Sequence, residues 1–315
     1  NTKQDHPIFI FRWLDHFLTT YFTHWFQSVK VIAEDWHGDI SDDRRQPYFY
    51  GLHPHGALCM GLAVLYSSMD YIFPFQEKVR FCFAPILFWS PIFRIFCHFV
   101  GYPGSAFKSD MITLMERNIE RKNERAKRND ASQPRKHEFE SLALLPGGFE
   151  EASIVKIPTL ETVPSSKSDD AAAQTQIPPC TERLFLKRRA GFLRLALKFG
   201  YTVRPVFIFG ESFLYHNVQG GWQTRLLMNQ YSIPALFPWG WKYFPLLPRP
   251  NIDMLIVIGA PVDFTHIVPL NTEPDKDQLR QCHELYVSQL SKLYDNYKER
   301  AYGPELGKVI KLEVW

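Results

Sequence analysis

Two stretches of this chain share one grammar: an apolar run, a turn carrying glycine, then a helical pattern. The first is Tyr48–Leu52 (YFYGL), which breaks into His53-Pro54-His55-Gly56 ahead of a helix expected over Ala57–Tyr66. The second is Ser141–Pro146 (SLALLP), followed by Gly147-Gly148-Phe149-Glu150-Glu151-Ala152-Ser153. Short apolar runs bounded by turn residues read as buried strands, and strands alternating with helices give an α/β sheet. Thr202–Phe209 is a third such strand, ending in Gly210-Glu211. The 315 residues suffice for one large α/β domain with a sizeable core.

The turns carry the chemistry, because open α/β sheets gather their ligands where strands hand over to helices. His53 and His55 sit on such a turn. A helix N-terminus disfavours a positive charge beside it, which keeps an imidazole neutral and able to accept a proton. The same pair also reads as a surface loop pair or as half of a metal site. Gly147 and Gly148 let backbone N–H groups face a cleft, a nest suited to an oxyanion or a phosphate. Glu151 lies one short turn on, placed to hold the Nδ1–H of a histidine and stabilise its imidazolium. Against that stands a plain first-turn glutamate favoured by the helix dipole. Lys187-Arg188-Arg189-Ala190-Gly191 precedes a helix on which Phe192, Leu195 and Phe199 share a face. Arg188 and Arg189 suit phosphate recognition through their planar forks, with a solvated basic cluster as the alternative.

Composition narrows the classes. A net charge of +3 is too small to argue for nucleic acid. No G-x-S-x-G elbow is present, which disfavours a serine hydrolase, and neither G-x-G-x-x-G nor a P-loop supports a nucleotide-binding enzyme. The five cysteines (Cys59, Cys82, Cys97, Cys180, Cys282) show no C-x-x-C pair and no zinc spacing. They read as free thiols of a reducing compartment, with the body facing the cytosol. Aromatic residues make up 15% of the chain, enough for an apolar tunnel or an interfacial surface as well as a core.

Four segments stand apart. Ile8–Ile32 is aromatic and amphipathic but broken by Arg12, Asp15, His16 and His24, so it reads as an interfacial helix rather than a span. Phe81–Val100 contains two prolines, Arg94 and His98, and reads equally as broken helices that line an apolar tunnel or dip into one leaflet, or as buried core. Arg117–Lys136 is highly charged, its first half able to extend the helix expected over Asp110–Asn118. Pro158–Pro179 is low in complexity and expected to be disordered.

Taken together, YFYGLHPHG, LLPGGFEEAS and KRRAGFLRLALKFGYTVRPVFIFGE resemble three successive blocks of the diacylglycerol acyltransferase type 2 family. That family includes monoacylglycerol and acyl-CoA wax-alcohol acyltransferases. The resemblance continues through LLPRPNIDMLIVIGAPVDF and the final helix DQLRQCHELYVSQLSKLYDNYKERAYGP. It implies a membrane-associated α/β acyltransferase domain over residues 47–315, with a central mixed sheet flanked by helices and loop inserts near 119–138 and 158–182. Residues 1–46 would form an amphipathic membrane-associated segment. The implied activity is acyl-CoA-dependent esterification of a lipid hydroxyl, with diacylglycerol as first choice and monoacylglycerol or a wax alcohol as alternatives. The implied partners are acyl-CoA, a neutral lipid acceptor and a membrane, without nucleic acid and with a homo-oligomer left open. The implied seat is the cytosolic face of the endoplasmic reticulum membrane, or a lipid droplet. No cofactor is implied beyond acyl-CoA as co-substrate, and no metal. Carried over by position, His55 is the general base and His53 its neighbour. Glu151 is preferred to Glu150 as their partner, although Phe149 and Glu150 replace the family's small residues. Glu211 falls on a glutamate of the third block, as a ligand for the acceptor headgroup or a support of the site. A non-catalytic lipid-binding or lipid-droplet scaffold is the competing class, and a metal-dependent hydrolase using His53 and His55 as ligands is another.

Overall fold

The computed structural model describes residues 24–34, 47–67, 78–89, 91, 104–127, 140–158, 180–218, 220–230, 236–269 and 271–315. Its elements run β1 (Ser28–Ala33), β2 (Tyr48–His53), α1 (Met60–Ser67), β3 (Lys78–Phe83), β4 (Gly104–Ser105), α2 (Lys108–Lys127), β5 (Glu140–Leu144) and α3 (Gly148–Ile154). There follow β6 (Thr181–Leu184), α4 (Gly191–Lys198), β7 (Thr202–Phe209), β8 (His216–Asn217), α5 (Trp222–Gln230), β9 (Pro238–Trp239), β10 (Asp253–Ile258), α6 (Lys276–Val309) and β11 (Lys311–Val314). Short 3-10 turns lie at Pro85–Trp89 and Glu211–Phe213.

Seven strands form one mixed sheet in the order β1-β10-β7-β2-β5-β3-β4. Strands β7, β2, β5, β3 and β4 run parallel, while β10 is antiparallel to β7 and β1 is parallel to β10. The carboxyl ends of β2, β5 and β7 therefore open on one edge of the sheet. That edge receives both glycine-bearing turns and Gly210-Glu211.

Side-chain alternation along each strand divides the core between two faces. Phe49, Val203, Phe207 and Phe209 pack on the face covered by α4 and α6, against Leu193, Tyr286, Leu290 and Tyr294. Tyr50, Leu52, Val206 and Ile208 pack on the other, against Leu62, Val64 and Leu65 of α1. With both faces covered, the strands carry near-continuous apolar runs. The long helix α6 opens on a capping box between Asp275 and Gln278. It kinks where Gly303 takes φ 79° ahead of Pro304.

The α/β architecture and the mixed sheet agree with the sequence reading. Among the described residues no helix is long and apolar enough to cross a membrane. The interfacial helix expected over Ile8–Ile32 fails at its end: Ser28–Ala33 is a sheet strand, because β-branched Val29, Val31 and Ile32 pair with β10. Residues 8–23 lie outside the described residues. Likewise Phe81–Phe83 closes strand β3, with Phe81 and Cys82 in the core, while residues 92–100 are outside the described set. The first half of the charged stretch continues α2 to Lys127, as its pattern allowed, and 128–139 lie outside the described residues. After the second expected insert, of which 159–179 lie outside the described residues, Thr181–Leu184 pairs with β11.

Candidate active site

The two histidines of the first turn part company. Residues 49, 51 and 53 point to one face of β2, so His53 is the last inward side chain of that strand and is fully buried. Its Nε2 lies 3.0 Å from the Tyr286 hydroxyl on α6, which is 3.5 Å from the Gly51 carbonyl. A Cβ at Gly51 would stand 2.1 Å from that hydroxyl, so the glycine admits Tyr286 to the strand. Nδ1 of His53 has no partner. An orphan N–H costs more than an orphan lone pair in a buried amphoteric ring, which favours Nε2–H donating to Tyr286 and Tyr286 donating to Gly51. Burial drives the His53 pKa down to about 3, so the ring is neutral. His53 is thus a pillar beneath the turn, not a proton acceptor at its surface.

His55 lies past the strand end and is only partly covered. Its Nδ1 is 2.9 Å from the Gly56 carbonyl, which can only accept, so Nδ1 carries the proton and Nε2 the lone pair. Cys59 Sγ stands 3.2 Å from Nδ1 and 3.3 Å from Nε2, where the thiol donates to the free nitrogen. Burial lowers the His55 pKa below its ordinary value, opposed by the Gly56 carbonyl and the charge of Glu150. The helix expected from Ala57 starts only at Met60, because Gly56 (φ 62°) and Cys59 (φ 51°) bend the chain into a turn. Cys59 is therefore not packing within a helix. It flanks the imidazole, with its thiol pushed well up by burial and by Glu211 and Glu151.

Glu151 reaches this turn, but at the main chain. One carboxylate oxygen accepts from the His55 N–H at 2.5 Å and the other from the Phe185 N–H at 2.8 Å. The expectation that it would hold the Nδ1–H of His55 is corrected: the Gly56 carbonyl takes that place. Burial raises the Glu151 pKa to about 7 despite the two amides and nearby Arg189. The glycine pair explains the approach, since a Cβ at Gly147 would fall 2.1 Å from Glu151 Oε2 and Gly148 needs φ 57°. The Gly148 N–H donates to the Leu145 carbonyl at 3.3 Å and closes the turn.

Glu211 has a similar task. Its oxygens accept from the Met60 and Gly61 N–H groups at 3.1 and 2.6 Å, capping α1 from across the sheet edge. Burial raises its pKa to about 7. Of the two readings for Glu211, this is the supporting one. Arg189 pairs with Glu150 and lies over the Phe185 ring at 5.4 Å, which brings it to the mouth of the site. Arg188 is exposed on the adjoining turn.

Sequence reasoning missed Tyr286, Phe185 and Asn217. Asn217 is buried and donates from Nδ2 to the Ala152 and Ser153 carbonyls at 3.0 and 3.4 Å, finishing the helix that bears Glu151. Tyr286 carried no signal beyond its place in an amphipathic helix, and the Phe185 contribution is an amide that any residue supplies.

Glycine-built turns thus gather at one sheet edge of an α/β domain, with the His55 imidazole on the Gly56 carbonyl and its main chain held by the buried Glu151 carboxylate. The family model described as diacylglycerol acyltransferase matches residues 170–312, a stretch that includes Arg189, Glu211 and Tyr286. Diacylglycerol O-acyltransferase 1 of Schizosaccharomyces pombe is 25% identical over 272 residues, covering 82% of this chain and 65% of that protein. The 2-acylglycerol O-acyltransferase 1 of Mus musculus is 24% identical, covering 90% of this chain and 73% of its own. Diacylglycerol O-acyltransferase 2 of Danio rerio is 34% identical over 141 residues, 41% of this chain and 38% of that one. The chain is thus similar to the diacylglycerol acyltransferase family over residues 170–312 and to acylglycerol O-acyltransferases over most of its length. It spans about two thirds of the Schizosaccharomyces pombe protein's length.

Proposed function

We propose that this chain is an acyl-CoA-dependent O-acyltransferase that esterifies an acylglycerol hydroxyl, with diacylglycerol as acceptor and triacylglycerol as product. The carrying observation is His55: a neutral imidazole at the sheet edge, its Nδ1–H on the Gly56 carbonyl and its Nε2 lone pair turned to a thiol that a hydroxyl can replace. The acceptor hydroxyl displaces the Cys59 thiol and donates to Nε2. Its oxygen attacks the thioester carbonyl as the proton passes to His55. The tetrahedral intermediate collapses with breakage of the carbon–sulfur bond, and the imidazolium returns its proton to the departing CoA sulfur. Glu151 fixes the His55 backbone, and the Glu150 charge favours the transient imidazolium. Exposed Arg188 is the candidate for CoA phosphate, with Arg189 already engaged by Glu150.

Relatives named for diacylglycerol and for 2-acylglycerol both support an acylglycerol acceptor. Direct transfer asks for no cofactor beyond acyl-CoA. A cytosol-facing seat on the endoplasmic reticulum membrane fits the free thiols of Cys59, Cys82, Cys180 and Cys282.

The test supplies labelled oleoyl-CoA with diacylglycerol, monoacylglycerol or hexadecanol to membranes holding the wild type or His55→Ala. The wild type is expected to make triacylglycerol and the variant to lose about 10²–10⁴-fold in rate. Ester formed from monoacylglycerol or hexadecanol instead reassigns the acceptor. Equal rates in both proteins remove His55 as the base. A folded wild type that binds acyl-CoA but makes no ester favours the scaffold.

A further inference from the structure

The segment after α5 turns its apolar side chains outward. Phe237, Trp239, Tyr243, Phe244 and Leu246 are exposed by 63, 45, 71, 52 and 64% within one hairpin, with one face of the Trp239 ring stacked on His216 at 5.5 Å. This is not a loose loop. Inside it the N–H groups of Gly240, Trp241, Phe244 and Leu247 donate to the carbonyls of Pro245, Leu247, Trp241 and Phe244. The Tyr215 hydroxyl donates to the Leu246 carbonyl at 2.9 Å. The Trp25 indole N–H donates to the Pro248 carbonyl at 3.0 Å, with its ring edge-on to Trp241. A Cβ on Gly240 would meet the Leu247 carbonyl at 2.1 Å, so the hairpin is closed tightly on itself.

We propose that this hairpin, residues 237–247, is a rigid anchor that inserts its exposed rings into an anionic lipid surface beside the active site. Three features favour lipid. The four backbone donors satisfied within the loop lower the cost of entering a low-dielectric layer. Tryptophan, tyrosine and phenylalanine interleaved with lysine match the interfacial region, where amphipathic rings sit at headgroup depth. From Leu236 to Pro250 the only charged residues are Lys242 and Arg249, so the hairpin complements anionic headgroups.

The anchor is joined to the site. Strand β9 of the hairpin pairs with β8, and the Asn217 side chain accepts from the Phe237 N–H at 3.1 Å while donating to the end of α3. One buried amide thus separates a lipid-embedded loop from the helix holding Glu151. The inference rests on the acyltransferase reading only for the chemistry of the acceptor delivered there.

The test uses the purified full chain carrying 5-fluorotryptophan, with the Trp239 resonance assigned by Trp239→Phe. On phosphatidylcholine vesicles containing phosphatidylserine, this resonance is expected to be broadened by a lipid-borne nitroxide and protected from a water-soluble one. In flotation, Trp239→Ser/Tyr243→Ser/Phe244→Ser is expected to lose about 10²-fold in partitioning, from the apolar surface of three rings. Its activity on a water-dissolved short-chain diacylglycerol should stay. A protein that floats while Trp239 remains open to the aqueous agent overturns the proposal. So does protection of Trp239 on concentrating the protein without lipid, which assigns the hairpin to self-association. His55→Ala should bind vesicles as the wild type does, so failure of the catalytic reading leaves this outcome readable.

Discussion

The two edges of the sheet use carboxylates differently, although Glu150 at the carboxyl edge is itself paired with Arg189. At the amino edge, Glu140 meets the Arg80 guanidinium at 2.7 Å and Glu273 meets Lys198 at 2.7 Å. At the carboxyl edge, Glu151 and Glu211 are buried and each accepts from two main-chain N–H groups. A cation-paired carboxylate fixes one other side chain. An amide-paired carboxylate fixes the path of the chain, and here those paths are the turn that presents His55 and the start of α1. Burial without a paired cation holds both pKa values near 7, so this edge carries its organisation at an electrostatic cost.

The contrast is broken most severely by Glu151→Ala, which strands the His55 and Phe185 amides. Each orphaned buried donor costs about 1–3 kcal/mol, a large share of a stability of about 5–15 kcal/mol. The expected outcome is a melting temperature lowered by many degrees and no detectable ester formation. Glu150→Ala should leave the melting temperature nearly unchanged and lower kcat modestly. A reversal of that ranking would show that the charge, not the amide bonds, organises the turn.

A smaller effect separates the signs of titration. Glu211 is held at about 7 against an ordinary 4.5, so the folded state binds its proton more tightly and stability falls as pH rises from 4.5 to 7. His53 is held at about 3 against 6.5, so its contribution is complete above pH 6.5 and is lost as pH falls towards 3. Melting across pH 4–8 should find Glu211→Gln flattened between 4.5 and 7. His53→Gln should be flattened below 6.5, each change being on the order of 1–3 kcal/mol. Matching slopes in wild type and variants would remove burial as the cause.

These assignments mark where sequence was enough. Strand β7 was readable to the residue because the apolar run Val206–Phe209 ends at Gly210, and Arg204 and Pro205 earlier in the strand did not hide it. The edge holding the site was readable too, because both turns carry glycines that a strand end rarely needs otherwise. The division of labour between His53 and His55 was not, since it depends on Gly51 making room for Tyr286, a residue 235 positions away from it. Strand β1 was hidden because its aromatic surroundings imitate an amphipathic helix. Only its pairing with β10 decides the matter.

Cys59 tests the site without disturbing the fold. Its thiol occupies Nε2 of His55 in the resting protein and is displaced in direct transfer. Cys59→Ala should therefore keep kcat within about threefold of the wild type, a barrier change of less than about 1 kcal/mol. An acyl-cysteine route predicts complete loss, together with a labelled acyl group trapped on the wild-type protein in the absence of acceptor.

The smallest effect belongs to the amino edge. Lys198 and Glu273 are 46 and 49% exposed, where solvent screens the charges and two long side chains must be ordered to meet. Such a pair contributes about 0–1 kcal/mol, so Lys198→Ala should move the melting temperature by no more than a few degrees in low salt and less in high salt. Ester formation should be unaffected, because the ion pair touches no loop of the carboxyl edge. A fall in kcat of tenfold or more, with the melting temperature unchanged, would mean that α4 transmits strain along the sheet to His55. The two edges would then be one coupled unit, and the exposed ion pair would belong with the glutamates that shape the turn.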